Sequence, residues 1–505
     1  MTTQRVVVIG AGIAGLVTSL ELATRGVEVI VVERADHPGG KMREISIGDA
    51  RIDAGPTVFT MRWVFEEIFA EASSSLAEHL TLKPVRTLAR HAWSEYERLD
   101  LFADVDEAAA AIGEFSGVDE ARRYREFCAR ARRIFDTLEK PFLRAPEPSL
   151  AALVRRAGLR GLGDLWRISP FATLWRALGD HFHDVRLRQL FARYATYCGS
   201  SPFLAPATLM LVAHVEREGV WLVEGGMHSV AVALAELATA RGACFRYSAE
   251  VAEVFLRGSR VGGVMLATGE RIEADAVVVN ADVAAVAASR FGHLIAAAVT
   301  PVPPAARSLS AITWAMVAAC EGFPLLRHTV FFSNNYAAEF DDIFLRSRTP
   351  ANPTVYVCAQ DREDTELSTA GGPERIFCLI NAPAIGDAHA FDSAEIARCE
   401  AGAFGMLARC GLRVHRQREH TAVTTPTDFE RLFPATGGAL YGQASHGWRA
   451  SFTRPGCRSR IPGLYLAGGS AHPGPGVPMA ALSGRLAAAS LFEDLARASF
   501  RAARE

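Results

Sequence analysis

Val6-Val7-Val8-Ile9-Gly10-Ala11-Gly12-Ile13-Ala14-Gly15 is the stretch on which the reading of this 505-residue chain turns. Arg5 to Ile9 is short, β-branched and continuously apolar, as a buried parallel strand requires. A helix begins at once, because Ile13, Leu16, Val17 and Leu20 recur at helical spacing. Gly26 supplies its stop, since glycine accepts the left-handed conformation at a helix end. A second strand, Val27 to Val32, ends at Glu33. The result is one βαβ unit with three glycines at its first turn. Gly10 permits the tight turn, Gly12 lets backbone approach a phosphate, and Gly15 lets helix and strand pack closely. The helix then points free N–H groups and positive dipole at a pyrophosphate. Gly10, Gly12, Ala14 and Gly15 are accordingly candidate cofactor-binding residues. Glu33 stands where a carboxylate accepts from both ribose hydroxyls, and it would repel a 2′-phosphate, which disfavours NADP. A signal peptide is argued against by Glu21, the glycines and the βαβ continuation.

The residues after Glu33 favour FAD over NAD. A Pro38-Gly39-Gly40-Lys41 turn comes immediately, then Asp53-Ala54-Gly55-Pro56-Thr57, where an NAD domain usually continues into another helix. Gly40, Lys41 and Gly55 are read as lining an extended FAD, with Lys41 beside its pyrophosphate. Backbone groups around Val251 are read as adenine contacts. A second glycine cluster lies near the other end of the chain, Leu464-Tyr465-Leu466-Ala467-Gly468-Gly469-Ser470-Ala471-His472-Pro473-Gly474-Pro475-Gly476-Val477. It reads as a strand, a glycine-proline loop and a helix with Pro478 in its first turn. Gly468, Gly469, Gly476 and Val477 would bring bare backbone against a flat ring system. The positive helix end would face the flavin N1–C2 edge and stabilise the charge of the reduced ring.

Composition bounds the alternatives. Half of the residues are hydrophobic, 22% are charged and the net charge is −2, which describes a globular chain with no global case for nucleic acid. The nine cysteines are scattered without metal-ligand spacing, so no metal site is expected and reduced thiols in the cytoplasm are. No apolar run reaches the roughly 18–20 residues of a membrane helix. Any membrane contact is then peripheral, on the inner membrane.

The chain otherwise reads as α/β with a discontinuous Rossmann-like domain from 1–80, 215–290 and 455–505. An α+β substrate domain from 81–214 and 291–454 is inserted, its first part mainly helical. Glu120 to Asp136 is a helix with an arginine-rich outer face. Ala151 to Leu178, with Trp166, Trp175 and several arginines, suits either a core helix or one lying in a bilayer interface. Short strands at Val251–Leu256, Val261–Leu266 and Ala276–Asn280 are read as returning the chain to the parallel sheet. Val355–Cys358 and Ile376–Ile380 read as strands of the second domain, covered by a helix from Ser393 to Cys410.

The two glycine clusters, with Gly225-Gly226-Met227 between them, resemble the FAD-dependent amine oxidase-type superfamily, which includes the GDI-type fold. Leu464 to Gly476 resembles the C-terminal motif of the bacterial-type phytoene dehydrogenase family, the carotenoid desaturases; Pro475 replaces the small residue usual there. Asp53-Ala54-Gly55-Pro56-Thr57, Tyr194-Ala195-Thr196-Tyr197, Gly219-Val220-Trp221 and Glu224-Gly225-Gly226-Met227-His228 are most similar to its 1-hydroxycarotenoid 3,4-desaturase (hydroxyneurosporene desaturase) branch. That resemblance implies FAD, a hydrophobic acyclic carotenoid and formation of a C3–C4 double bond, with hydride passing to flavin N5. Quinone and oxygen are both open as electron acceptor. His472 is the titratable side chain that the motif places beside the flavin and the candidate proton acceptor, with Glu224 and Asp53 behind it. Phe171, Trp175, Phe191, Tyr194, Tyr197 and Trp221 are expected to line a substrate tunnel. The rival readings are a phytoene desaturase, a flavin amine oxidase and a non-catalytic GDI-like lipid-binding protein.

Overall fold

Strand Arg5–Ile9 is the centre of a five-stranded parallel sheet ordered Cys244–Arg246, Glu28–Val32, Arg5–Ile9, Ala276–Val279, Leu464–Leu466. The structure is a computed structural model that describes residues 4–147, 149, 155, 171–363 and 372–502. Alternate residues of a strand point to opposite faces, and each face here has its own core. Val6 and Val8 meet the helical layer, while Val7 and Ile9 pack with Val251, Val254, Val277 and Val279. Burial on both faces explains why these strands are apolar without alternation.

Helix Ile13–Thr24 packs between helices His228–Ala240 and Val477–Ala502. The first and last of these touch backbone to backbone. A Cβ on Gly484 would lie 2.4 Å from the Ala14 carbonyl oxygen, and the Thr18 hydroxyl donates to the Gly484 carbonyl at 3.0 Å. Gly26 does close the first helix, with φ +80° and its N–H on the Ala23 carbonyl.

A second sheet is mostly antiparallel. Its order is Arg413–His415, Ser310–Glu321, Glu374–Ala382, Val355–Ala359, His328–Phe331, Thr87–Ala92, Arg98–Phe102, and Thr421–Thr424 also pairs with Ser310–Glu321. Helix Ser393–Arg409 packs on it through Cys399, Ala403, Met406 and Leu407. A helical core adjoins it, where Phe127 of helix Val118–Leu138 packs edge-on to Phe182 and tilted against Phe191.

One expectation needs correction, and the region around residue 80 carries strands besides its helices. Val251–Arg257 and Arg260–Leu266 do not enter the parallel sheet; with Arg271–Glu273 they form a separate antiparallel one. The two-residue turn through Gly258, at φ +63°, folds the strands back on each other. The region after residue 80 is not only helical, because Thr87–Ala92 and Arg98–Phe102 are strands of the second sheet. Phe59–Thr60 and Leu82–Pro84 flank Val220–Val223 in one small sheet, and Phe135, Phe142 and Leu143 join the core under the parallel sheet. Within Ala151 to Leu178, residues 151–154 and 156–170, Trp166 among them, lie outside the described residues. The end of that segment begins helix Leu174–His181, whose Leu174, Ala177 and Leu178 are buried.

Candidate functional site

The two glycine clusters, so far apart in sequence, converge on Asn280 at the end of strand Ala276–Val279. Its side-chain amide donates to the Ala467 carbonyl at 3.0 Å. A Cβ on Gly468 would sit 3.0 Å from that amide nitrogen, and one on Gly12 would sit 2.8 Å from Asn280 Oδ1. Gly15 has no room for a side chain, because its Cβ would approach the Gly10 carbonyl oxygen to 2.1 Å. The Gly39-Gly40 turn completes the group. The Gly39 N–H donates to the Ala11 carbonyl at 2.9 Å, and a Gly40 Cβ would be 3.3 Å from Gly12 Cα.

This loop presents what an extended diphosphate needs. Gly12 opens helix Ile13–Thr24 without any side-chain cap, so its first N–H groups face outward. Glu33 is fixed at the strand end, accepting from Ala11 N at 2.7 Å and Ala35 N at 2.8 Å. Each oxygen keeps a lone pair for a ribose hydroxyl. Asn280 Oδ1, directly beside Gly12, is a buried acceptor with no protein partner among the described residues, suited to a ligand hydroxyl and not to the phosphate oxygens.

Next to this cradle is a cavity of about 440 Å³. One wall is the C-terminal loop, Pro473 to Gly476 with Pro478 and Met479; another is Ala54 to Val58. Most of the remaining lining is apolar, including Leu138, Leu143, Leu209, Val212 and Val215.

Polar side chains interrupt the apolar surface, among them Lys41, Arg43, Asn381 and Arg454 and two hydrogen-bonded groups. In the first, the Tyr194 and Tyr197 hydroxyls donate to the two oxygens of Glu216 at 2.7 and 2.8 Å, and Arg193 donates to the Tyr197 hydroxyl. In the second, the Tyr356 hydroxyl lies 2.6 Å from Thr57 Oγ1 and 2.7 Å from His328 Nδ1. Burial, with Arg327 and Arg193 adding to it, holds the His328 imidazole down at about 3, so it is neutral under ordinary conditions. The unfolded chain takes up this proton near pH 6.5, whereas the folded imidazole resists it down to about 3. Stability from this group is therefore intact above pH 6.5 and falls as the pH drops. Denaturant midpoints measured between pH 7 and 4 should fall more steeply for the native chain than for His328→Gln, by up to roughly 3 kcal/mol.

Residues 13–491 match the model of the flavin containing amine oxidoreductase family. The chain belongs to that family. As a flavin oxidoreductase it takes FAD, and the cradle fits the dinucleotide: bare backbone, open helix N–H groups, the Glu33 carboxylate and the spare Asn280 acceptor. The chain is 55% identical to hydroxyneurosporene desaturase of Rubrivivax gelatinosus, over 98% of this chain and 94% of that one. It is 29% identical to 1-hydroxycarotenoid 3,4-desaturase of Flavobacterium sp. (strain P99-3), over 96% and 98%. An oxidoreductase from Methanosarcina mazei has the same fold, with TM-score 0.61 and 17% identity over 97% of this chain and 100% of that one. The match to the first relative covers nearly the whole length of both chains.

Several residues of this flavin oxidoreductase do not stand where the sequence suggested. His472 does not line the cavity, although its neighbours Pro473 and Gly474 do. It is 1% exposed, its ring lies edge-on to Phe142, and its Nε2–H donates to the Phe142 carbonyl at 3.0 Å. Buried against Phe142 and turned away from the cavity, His472 shapes the loop. Asp53 does not line the cavity either: its carboxylate accepts from Met227 N at 2.8 Å and His228 N at 3.2 Å, holding the start of helix His228–Ala240. Glu224 is exposed. Lys41 lines the cavity and its ammonium donates to the Leu440 carbonyl at 2.6 Å, beneath the Phe433 ring, so its charge is already engaged. Gly55 packs on the same segment, its Cβ position 2.1 Å from the Lys41 carbonyl oxygen. Gly469 has Pro475 as its neighbour, Gly476 sits at φ +112°, and Val477 opens the last helix. Val251 is buried opposite Leu266 in the antiparallel sheet, and the adjoining Ala249 N–H bonds the Glu33 carbonyl.

Of the six aromatic side chains expected in a tunnel, Tyr197 faces the cavity. Phe191 and Tyr194 are core, Trp175 packs on Phe203, Trp221 belongs to the small three-stranded sheet, and Phe171 is exposed beside Trp448. Sequence reasoning missed Arg454, Thr57, His328 and Tyr356 as cavity residues. Only Thr57 carried a signal, as the last residue of the Asp53-Ala54-Gly55-Pro56-Thr57 motif.

Proposed function

We propose that this chain is an FAD-dependent carotenoid desaturase that removes two hydrogens from an acyclic 1-hydroxycarotenoid to form the C3–C4 double bond. The observation that carries the reading is the mainly apolar cavity walled by the Pro473–Met479 loop beside the glycine cradle. The names of the relatives at 55% and 29% identity support the substrate class and the bond. In this reading Gly10, Gly12, Ala14, Gly15, Glu33, Gly40, Gly55, Val251, Gly468, Gly469, Gly476 and Val477 hold FAD. Segments 1–80, 215–290 and 455–505 carry the cofactor, and 81–214 with 291–454 carry the substrate.

When bound, FAD supplies a two-electron acceptor at its ring N5. The chain's own work is positional. Apolar walls from Leu138 to Val215 align the polyene and keep water from the carbon that becomes cationic. The conjugated chain delocalises that charge, so a weakly basic site suffices to receive the proton. Among the described residues no group of three or more His, Cys, Asp or Glu is placed to hold a metal, and the reading needs none.

Among the described residues no helix is long and apolar enough to cross a membrane. The exposed Phe171 and Leu204 support a peripheral position on the membrane from which so insoluble a substrate is drawn. Quinone and oxygen both fit as final acceptor. Anaerobic incubation of the FAD-loaded protein with a 1-hydroxy acyclic carotenoid should shift the polyene spectrum to the red as its chromophore lengthens. An unchanged spectrum with fully flavinylated protein would refute the reading.

A further inference from the structure

We propose that the oxygen on C1 of the substrate is held by the Thr57 hydroxyl, which is set as a hydrogen-bond donor by the Tyr356–His328 pair behind it. This rests on the desaturase reading and names how that site selects its substrate. In a 1-hydroxycarotenoid the oxygen-bearing carbon is separated from C3 by the C2 methylene alone. Whatever binds the oxygen must therefore stand beside the reacting carbons, in the part of the cavity walled by Gly55 to Thr57 and the C-terminal loop.

Place and a count of protons together choose among the polar side chains; Lys41 and Arg454 are already committed to backbone carbonyls. In the Arg193–Tyr197–Glu216 group, each phenol gives its proton to a carboxylate oxygen and Tyr197 also accepts from Arg193, so both hydroxyls are committed, while the Arg193 guanidinium lies over the Tyr194 and Tyr197 rings, on a segment apart from Gly55 to Thr57. Thr57, Tyr356 and a neutral His328 carry three protons and share two hydrogen bonds with one another; the other group at the Tyr356 hydroxyl is the buried Cys358 thiol, a weak acceptor. One proton is left over. His328 Nε2 is occluded and has no partner among the described residues. A buried N–H without an acceptor is costlier than a buried lone pair without a donor. The imidazole proton is therefore assigned to Nδ1, donating to Tyr356; Tyr356 donates to Thr57; and the surplus proton is on Thr57 Oγ1. Thr57 and Tyr356 are only half-buried, and both line the cavity. The unpartnered Tyr336 and Thr313 hydroxyls, by contrast, are occluded.

Strand pairing makes the arrangement rigid. His328 and Tyr356 lie on adjacent antiparallel strands, His328–Phe331 and Val355–Ala359, and their rings stack with centroids 6.1 Å apart. Thr57 arrives from the segment that Gly55 seats against Lys41. A substrate without the oxygen leaves the Thr57 proton buried and unpaired, which is how a hydrogen-bonding site rejects a deoxy analogue.

The test compares a 1-hydroxy acyclic carotenoid with its 1-deoxy counterpart, using FAD-loaded protein of measured flavin content. Thr57→Val keeps the branched shape and removes the hydroxyl. Its kcat/KM for the hydroxylated substrate should fall about 10- to 100-fold more than for the deoxy one. Thr57→Ser should restore most of that difference. Tyr356→Phe, which unhooks the donor chain without changing its volume, should lower the same ratio. Equal changes on both substrates, or a native protein indifferent to the hydroxyl, would overturn the assignment and leave the desaturase reading standing. A native protein that desaturates neither substrate removes that reading and the assignment with it.

Discussion

Gly12→Val is expected to yield a folded chain that retains no FAD. The native backbone at Gly12, φ −73° and ψ 171°, is extended and open to any residue, so the substitution brings no backbone strain. The effect lies entirely in the space outside Cα. A Cβ there stands 2.8 Å from Asn280 Oδ1, and the valine methyl groups would fill the gap between the glycine loop and the Gly39-Gly40 turn. They would also cover the uncapped helix N–H groups that face the diphosphate. We expect flavin affinity to drop at least about 100-fold, read as the visible flavin bands per mole of protein, with far-ultraviolet dichroism near native. Gly26→Ala is the control. Its site has φ +80° with nothing within 4 Å of the added carbon, so it should cost about 1 kcal/mol and leave flavin content alone. Full flavin occupancy in folded Gly12→Val would refute the placement of the diphosphate.

Arg454→Leu is expected to be the most damaging single change to the cavity. The guanidinium is 4% exposed. It donates to the carbonyls of Tyr441 at 3.0 Å, Gly469 at 2.9 Å and Gln443 at 2.7 Å. It thereby ties the C-terminal glycine loop to the segment that supplies Leu440 and Tyr441 to the same cavity. Leucine leaves three carbonyls without their donor, a loss on the order of 3–5 kcal/mol. Denaturant midpoints should show that loss, together with weakened flavin retention. Arg454→Lys, which cannot reach three acceptors with one compact ammonium, should fall between. A midpoint within about 0.5 kcal/mol of native for the leucine variant would show that the loop does not depend on this clamp.

The parallel sheet and its two glycine clusters were legible because their signals are local. A strand, a turn and a helix over twenty residues carry a period and a punctuation that no other fold reproduces cheaply. The features that escaped notice depend on partners far away along the chain. Thr18 meets Gly484 across 466 positions, and Thr57 meets Tyr356 across 299. Nothing near Gly484 or Arg454 distinguishes it from an ordinary helical glycine or a surface arginine. Tyr356 reads only as one residue of an apolar strand, and its polar tip gains meaning from His328 on the neighbouring strand. His472 misled for the opposite reason. Its motif position beside the loop was right, but the direction of its ring was set by Phe142, in a helical segment that carries no glycine signal. The aromatic residues expected in a tunnel erred likewise, since bulky rings fill a core as readily as they line a cavity.

The contact between Ala14 and Gly484 also bears on how the molecule is made. The first helix emerges from the ribosome early and must wait for almost all of translation before the helix that closes over it exists. Until Leu464–Leu466 is synthesised, Ala276–Val279 remains an open β-edge, a site where nascent chains adhere to one another. Loading of the yellow prosthetic group is therefore a post-translational event, and ribosome-stalled chains ending before Leu464 should carry none of its fluorescence quenching while full-length chains do.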